Sequence, residues 1–189
     1  MIYPIIAYGD TVLTKKAEPI DKDFPNLKEL VADMFATMYK AEGVGLAAPQ
    51  IGKSIRIFII DSTQFDEEKT GEKGLKRVFI NAEKIEETGE VWSYEEGCLS
   101  IPKITENVKR PDTLKLRYLD EDFNVHEEVF KGITARVIQH EYDHIEGVLF
   151  VDHLKPLRKR LIRSKLVKIT KGNIKVKYRM KFPKPPPRR

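Results

Sequence analysis

From Asn26 to Glu42, NLKELVADMFATMYKAE, apolar side chains fall at positions 27, 30, 31, 34, 35 and 38, the three-and-four spacing of an amphipathic helix. Asn26 and Glu29 stand where a capping pair would open it. Met34 and Met38 read as core filler rather than as cofactor contacts. A second stretch, Gly132 to Gly147, GITARVIQHEYDHIEG, carries a stripe at Ile133, Val137, Ile138, Tyr142 and Ile145, with Thr134 as candidate cap and Gly147 as candidate stop. A third, Pro156 to Ile169, has apolar residues at 157, 161, 162, 166 and 169 and a basic opposite face.

The pattern elsewhere shortens to strands. Runs at 55–61 (IRIFIID), 77–85, 89–94, 113–119 and 125–130 are predicted strands, the last two joined by the acidic turn DEDFN. From Asn173 to Phe182, Ile174, Val176, Tyr178, Met180 and Phe182 alternate with Lys175, Lys177, Arg179 and Lys181, which predicts a strand with one packed face. Residues 43–50, GVGLAAPQ, read as an irregular loop of small residues, and 62–76 as a polar surface excursion. The closing PKPPPRR has nothing to pack and is expected to be mobile.

Composition adds bounds to this picture. The 189 residues, 41% hydrophobic and 33% charged, suit a single globular body with a full core. No dinucleotide fingerprint, P-loop or internal repeat occurs, which argues against nucleotide-dependent chemistry. One cysteine permits no internal disulfide, and a reducing cytosol follows as the expectation. The start, MIYPIIAYGD, lacks secretory and transit features, pointing to a bacterial cytosolic protein.

Charge divides the chain unevenly. Residues 1–154 hold 19 Lys and Arg against 29 Asp and Glu, a balance of −10, whereas residues 155–189 hold 15 basic residues and no acidic one. We therefore expect a body at 1–154 and a basic extension at 155–189 made of helix, strand and tail. Such asymmetry suits a polyanionic partner.

The chemistry concentrates in the second helix. His140 and His144, four residues apart, share a face and can reach one cation. Glu141 follows the first, where its carboxylate can deprotonate a metal-bound water, the logic of H-E-x-x-H. The same five letters also arise as a surface charge cluster, so a further ligand is the test. A catalytic site needs about three protein ligands and an open position. The longer metzincin pattern ends here on Phe150, which cannot ligate. Cys98, in EEGCLS, and His153 are the candidates left, and the soft thiolate of Cys98 suits a tetrahedral site better. A lone cysteine is otherwise more often an inert buried side chain.

Together, GVGLAAPQ, EGCLS and QHEYDH, in this order, resemble the three signature motifs of the peptide deformylases. The resemblance implies an α+β fold, with mixed, mostly antiparallel strands surrounding a central metal-binding helix. It implies hydrolytic removal of the formyl group from N-formylmethionine on nascent chains. It implies one divalent metal, natively Fe2+, with Zn2+, Ni2+ or Co2+ in a purified sample, held by Cys98, His140 and His144. Glu141 is then general base and acid, while the Gln50 amide and the Leu99 backbone N–H receive the oxyanion. Val44, Gly45 and Gly97 are expected to hold the substrate like an added strand, and Val137 to contribute to the methionine pocket.

Some details stay open in the sequence. Arg136 shares the helix face of Val137 and could narrow the pocket, pair with an acidic neighbour or reach outward. The resemblance implies that Glu96 and Arg110 form a supporting ion pair, against the more general expectation that such a pair is exposed. The basic extension resembles, in placement and charge, the family's ribosome-docking helix, against the alternative of a solvated basic face. An H-E-x-x-H endoprotease and a non-catalytic ribosome-binding module are the competing readings.

Overall fold

The computed structural model describes residues 1–65, 67–71 and 73–183. The chain runs β1 (Ile5–Ile6), α1 (Leu27–Lys40), β2 (Gly45–Ala47), β3 (Ile57–Asp61), α2 (Glu67–Thr70), β4 (Lys76–Cys98), β5 (Ile101–Leu119), β6 (Val125–Lys131), α3 (Gly132–Glu146), α4 (Pro156–Thr170) and β7 (Met180–Lys181). Strands β2 to β6 form one antiparallel sheet in sequence order. β1 and β7 pair in parallel, with Ile5 beside Met180. Helices mixed with an antiparallel sheet are what the α+β reading anticipates. Among the described residues no helix is long and apolar enough to cross a membrane.

The amphipathic helices form where their periodicity places them. Leu27, Leu30, Val31, Met34 and Met38 of α1 are buried in one core cluster with Leu46, Ile57 and Ile59. The anticipated capping pair does not form. Asn26 takes a left-handed backbone (φ 55°) and makes no side-chain cap bond, because a cap needs an extended residue at that point. Gly147, at φ 75°, closes α3 as expected. Thr134 does not cap α3, which begins at Gly132. It lies inside the first turn, its hydroxyl 3.0 Å from that of Ser62.

The strands differ more from expectation. Residues 77–85 and 89–94 belong to one strand, β4, which continues to Cys98 through register shifts at Ile80/Glu83, Lys84/Glu86 and Thr88/Val91. Bulges let a strand bend without ending. β5 begins at Ile101, twelve residues before the predicted Thr113. Gly45 to Ala47 pair with β3 as a short strand rather than a loop, and Ala48–Ile51 form a turn of 3-10 helix. The segment 173–182 keeps its alternating exposure, yet only Met180 and Lys181 form a ladder. All but the first residue of PKPPPRR lies outside the described residues.

α4 docks through Ile162, Leu166 and Ile169 onto a cluster that includes Ile6, Leu13, Val108 and Phe150. Leu157 and Leu161 are 67% and 59% exposed, so part of its apolar stripe faces outward.

Candidate metal centre and substrate cleft

Cys98 ends β4, opposite Ile101, with only Leu99 and Ser100 between them. That turn carries the thiol to α3, whose His140 and His144 ring centroids are 5.1 Å apart. Cys98 Sγ lies 3.3 Å from His144 Nε2. Ligand atoms of Cys98, His140 and His144 all fall within 4.8 Å of one another. Nδ1 of His140 is 3.0 Å from Glu96 Oε2, which orients the ring and leaves Nε2 for the centre.

A divalent cation fits these residues. One thiolate and two imidazoles are a common donor set and leave a fourth position open. Burial resists ionisation of the Cys98 thiol, but the charges and hydrogen bonds of His144 and His140 outweigh it and bring its pKa down to about 5. Beside it, Oε2 of Glu141 is buried and makes no hydrogen bond with another described residue. Burial raises the Glu141 carboxyl to about 7, against the pull of His140 and His144. A group poised there exchanges protons readily at neutral pH.

Gln50 is fixed on the same side. Its Oε1 accepts from Ala47 N–H at 2.8 Å, which identifies the amide nitrogen as the atom facing the centre. That nitrogen lies 3.5 Å from Cys98 Sγ and 3.4 Å from Ser100 Oγ. The centre opens into a cleft of about 820 Å³. Val44, Gly45 and Gly97 line it, as do Leu99 and Val137, so every residue anticipated for substrate contact borders one space. Val137 is 7% exposed and also packs in the core.

A family model described as polypeptide deformylase matches residues 2–160. The chain belongs to the polypeptide deformylase family. Its activity is that of the family, hydrolytic removal of the formyl group from N-formylmethionine on nascent peptides, and the family depends on metal. The peptide deformylase of Christiangramia forsetii is 56% identical over 190 residues, covering 97% of each chain. That of Flavobacterium johnsoniae is 56% identical over 189 residues, covering 96% of each. Among solved structures, the Legionella pneumophila peptide deformylase superposes with a TM-score of 0.79 at 39% identity, covering 92% of this chain and 98% of its own. The Thermotoga maritima enzyme gives 0.72 at 40%, covering 82% and 99%.

In this deformylase-family chain the Glu96–Arg110 pair is not exposed. Each is 5% accessible, because both point inward from the long β4–β5 hairpin. Arg110 Nε donates to Glu96 Oε1 at 2.7 Å and Nη2 to Oε2 at 3.0 Å, while Nη1 reaches Asp143 Oδ2 at 2.7 Å. His153, the rival ligand, lies 2.7 Å from that same Asp143 oxygen and is outside the centre. Arg136 pairs with an acidic neighbour: Nη1 donates to Glu96 Oε1 at 3.0 Å and Nη2 to the Trp92 carbonyl at 2.9 Å. Its guanidinium lies 4.5 Å from the Trp92 ring centroid. These partners hold the Glu96 carboxyl well below its ordinary value, His140 and Arg110 overcoming its burial.

The sequence reading missed one wall of the deformylase cleft. Lys175, Val176, Lys177 and Tyr178 line it from the C-terminal segment. Alternation placed Val176 and Tyr178 on a packed face, but it carried no information about what they pack against.

Proposed function

We propose that hydrolysis of the formyl amide takes place at Cys98, His140 and His144, with α3 as the central metal-binding helix of the fold. Supporting this, α3 packs against β2, β3, β5 and β6. The observation that carries the reading is the convergence of three ligand atoms within 4.8 Å beside the buried Glu141 carboxylate. A bound divalent cation supplies Lewis-acid polarisation of the formyl oxygen and of a water molecule. Fe2+ is the proposed native ion, and Zn2+, Ni2+ and Co2+ suit the same donors.

The protein's own groups then act in order. Glu141 takes a proton from the attacking water as oxygen bonds to the formyl carbon. The Gln50 amide nitrogen and the Leu99 backbone N–H donate to the developing oxyanion. Glu141 passes the proton to the methionine nitrogen as the C–N bond breaks, releasing formate and a free amino terminus. Val44, Gly45 and Gly97 hold the peptide backbone. Val137 borders the space for the methionine side chain.

Residues 1–154 are the proposed catalytic domain and 155–189 a basic extension. The exposed positions Arg160, Arg163, Lys165 and Lys168 of α4 support contact with ribosomal RNA and protein where nascent chains emerge. A cytoplasmic location agrees with such substrates.

Turnover of formyl-Met-Ala-Ser by wild type, Glu141→Ala and Cys98→Ala tests the reading. Glu141→Ala should keep its metal and lose turnover, and Cys98→Ala should lose both. Wild-type rates in either variant would overturn it.

A further inference from the structure

Both carbonyls of the turn that carries Leu99 are bonded by donors from distant segments. The turn has two residues between paired Cys98 and Ile101, and neither Leu99 nor Ser100 has a positive φ. The commonest two-residue turns have positive φ at a central residue; this one does not, and it adjoins a register shift at Gly97/Cys98. Tyr8 N–H donates to the Ser100 carbonyl at 2.9 Å. The Tyr178 hydroxyl donates to the Leu99 carbonyl at 2.8 Å. These two donors lie two residues outside the paired strands β1 and β7, which Ile5 N–H to the Arg179 carbonyl and Ala7 N–H to that of Lys181, each at 2.9 Å, hold together.

Tyr178 is built to donate. Its ring packs against the cluster of Met34, Met38 and Leu46, and burial raises the phenol pKa, so the oxygen keeps its proton. Leu99 is thereby clamped from both ends. Cys98 is fixed in the β4–β5 ladder before it, and its own carbonyl is fixed after it. The N–H between these points has little freedom left.

We infer that Tyr178 is a positioning residue for deformylation: its hydroxyl fixes the Leu99 carbonyl and so keeps the Leu99 N–H aimed at the oxyanion. The C-terminal extension then completes the active site, although Tyr178 lies beyond the residues 2–160 that match the family model. This rests on the proposed role of the Leu99 N–H.

Tyr178→Phe deletes the hydroxyl and keeps the ring. We expect kcat for formyl-Met-Ala-Ser to fall about tenfold, the scale of one lost hydrogen bond that leaves its acceptor unpaired, with KM and metal content unchanged and the protein still folded at the assay temperature. Tyr178→Met should lower kcat similarly. A kcat within about twofold of wild type, or a loss confined to KM or to metal content, overturns the inference. A semisynthetic chain in which the α-hydroxy acid replaces Leu99 removes the N–H itself and should lose on the order of a hundredfold in kcat. If that chain is impaired while Tyr178→Phe is not, the inference about Tyr178 fails alone. If the chain retains wild-type kcat, the role assigned to Leu99 fails, and this inference with it.

Discussion

A Cβ placed on Gly45 would lie 2.8 Å from both Cγ and Cδ of Glu141. The side chain of the proposed base therefore lies flat against bare backbone in β2, and any larger residue at 45 must displace it. Gly45→Ala is expected to keep the β2–β3 pairing and the metal while lowering kcat by tenfold or more, because displacement of about 1 Å can cost on the order of a hundredfold. Turnover measured beside metal content decides this. Unchanged kcat would mean that Glu141 can act from another position.

Arg110 stands between two buried carboxylates, Glu96 and Asp143, and among the described residues no other guanidinium bonds both. Arg110→Met keeps the volume and removes the charge. Breaking a buried pair from one side costs about 3–5 kcal/mol, so denaturant unfolding should show a loss of that size. Because Glu96 orients His140, metal affinity should also fall roughly 10–100-fold. Stability equal to wild type would show that the carboxylates are protonated or hydrated instead.

Removal of the metal offers a separate check. Prolonged chelation should abolish turnover of formyl-Met-Ala-Ser, and adding back Fe2+, Ni2+, Co2+ or Zn2+ should restore it to levels that depend on the ion. The Fe2+ form should decay in air faster than the others, since both the ferrous ion and the Cys98 thiolate react with oxidants. Full activity in a metal-free preparation would contradict the assigned centre.

Asp61 links stability to pH away from that centre. Its burial raises the carboxyl pKa, but bonds from the Thr63 and Tyr39 hydroxyls and from Thr63 N–H leave it below the ordinary value. A depressed folded-state pKa means that the unfolded chain binds more protons in that window, so stability rises with pH there. The contribution is complete above the unfolded value of about 3.9 and is lost as pH falls through the folded one. Wild type should therefore exceed Asp61→Asn in stability by more at pH 6 than at pH 3. Parallel unfolding curves at both values would refute it.

The sequence revealed those elements in which one periodicity decides burial. α1 and α3 were readable because their apolar residues recur at helical spacing, and the motifs on α3 and at Cys98 carried the centre. β5 was hidden between 101 and 112 for a physical reason. Its inward positions alternate as Ile104, Glu106, Val108 and Arg110, and two of these are charged. Glu106 is buried only because Arg158 of α4 reaches it at 2.7 Å, and Arg110 because of Glu96 and Asp143. A strand whose buried face is half ionic reads as a polar loop until its partners are known. The break expected between the runs 77–85 and 89–94 is likewise no break: Gly89, at φ 83°, lies in a bulge within the single strand β4. The role of Tyr178 had no local signal, because it depends on a contact 79 positions away in the chain.

The extension supplies the last prediction. α4 keeps Ile162, Leu166 and Ile169 against the body and leaves Arg160, Arg163, Lys165, Lys168, Leu157 and Leu161 outside. A solvated helix has no need of two exposed leucines one turn apart, whereas a helix lying against RNA and protein has use for both faces. Co-sedimentation with ribosomes should weaken steeply as salt rises, and each phosphate contact removed should flatten the log–log slope by roughly 0.7–0.9. Arg160→Glu with Arg163→Glu should reduce ribosome binding while leaving turnover of a free tripeptide unchanged, since neither side chain borders the cleft. Leu157→Ser with Leu161→Ser should weaken binding without altering the slope, separating apolar contact from charge. Binding indifferent to salt and to all four substitutions would leave α4 as a packing element alone.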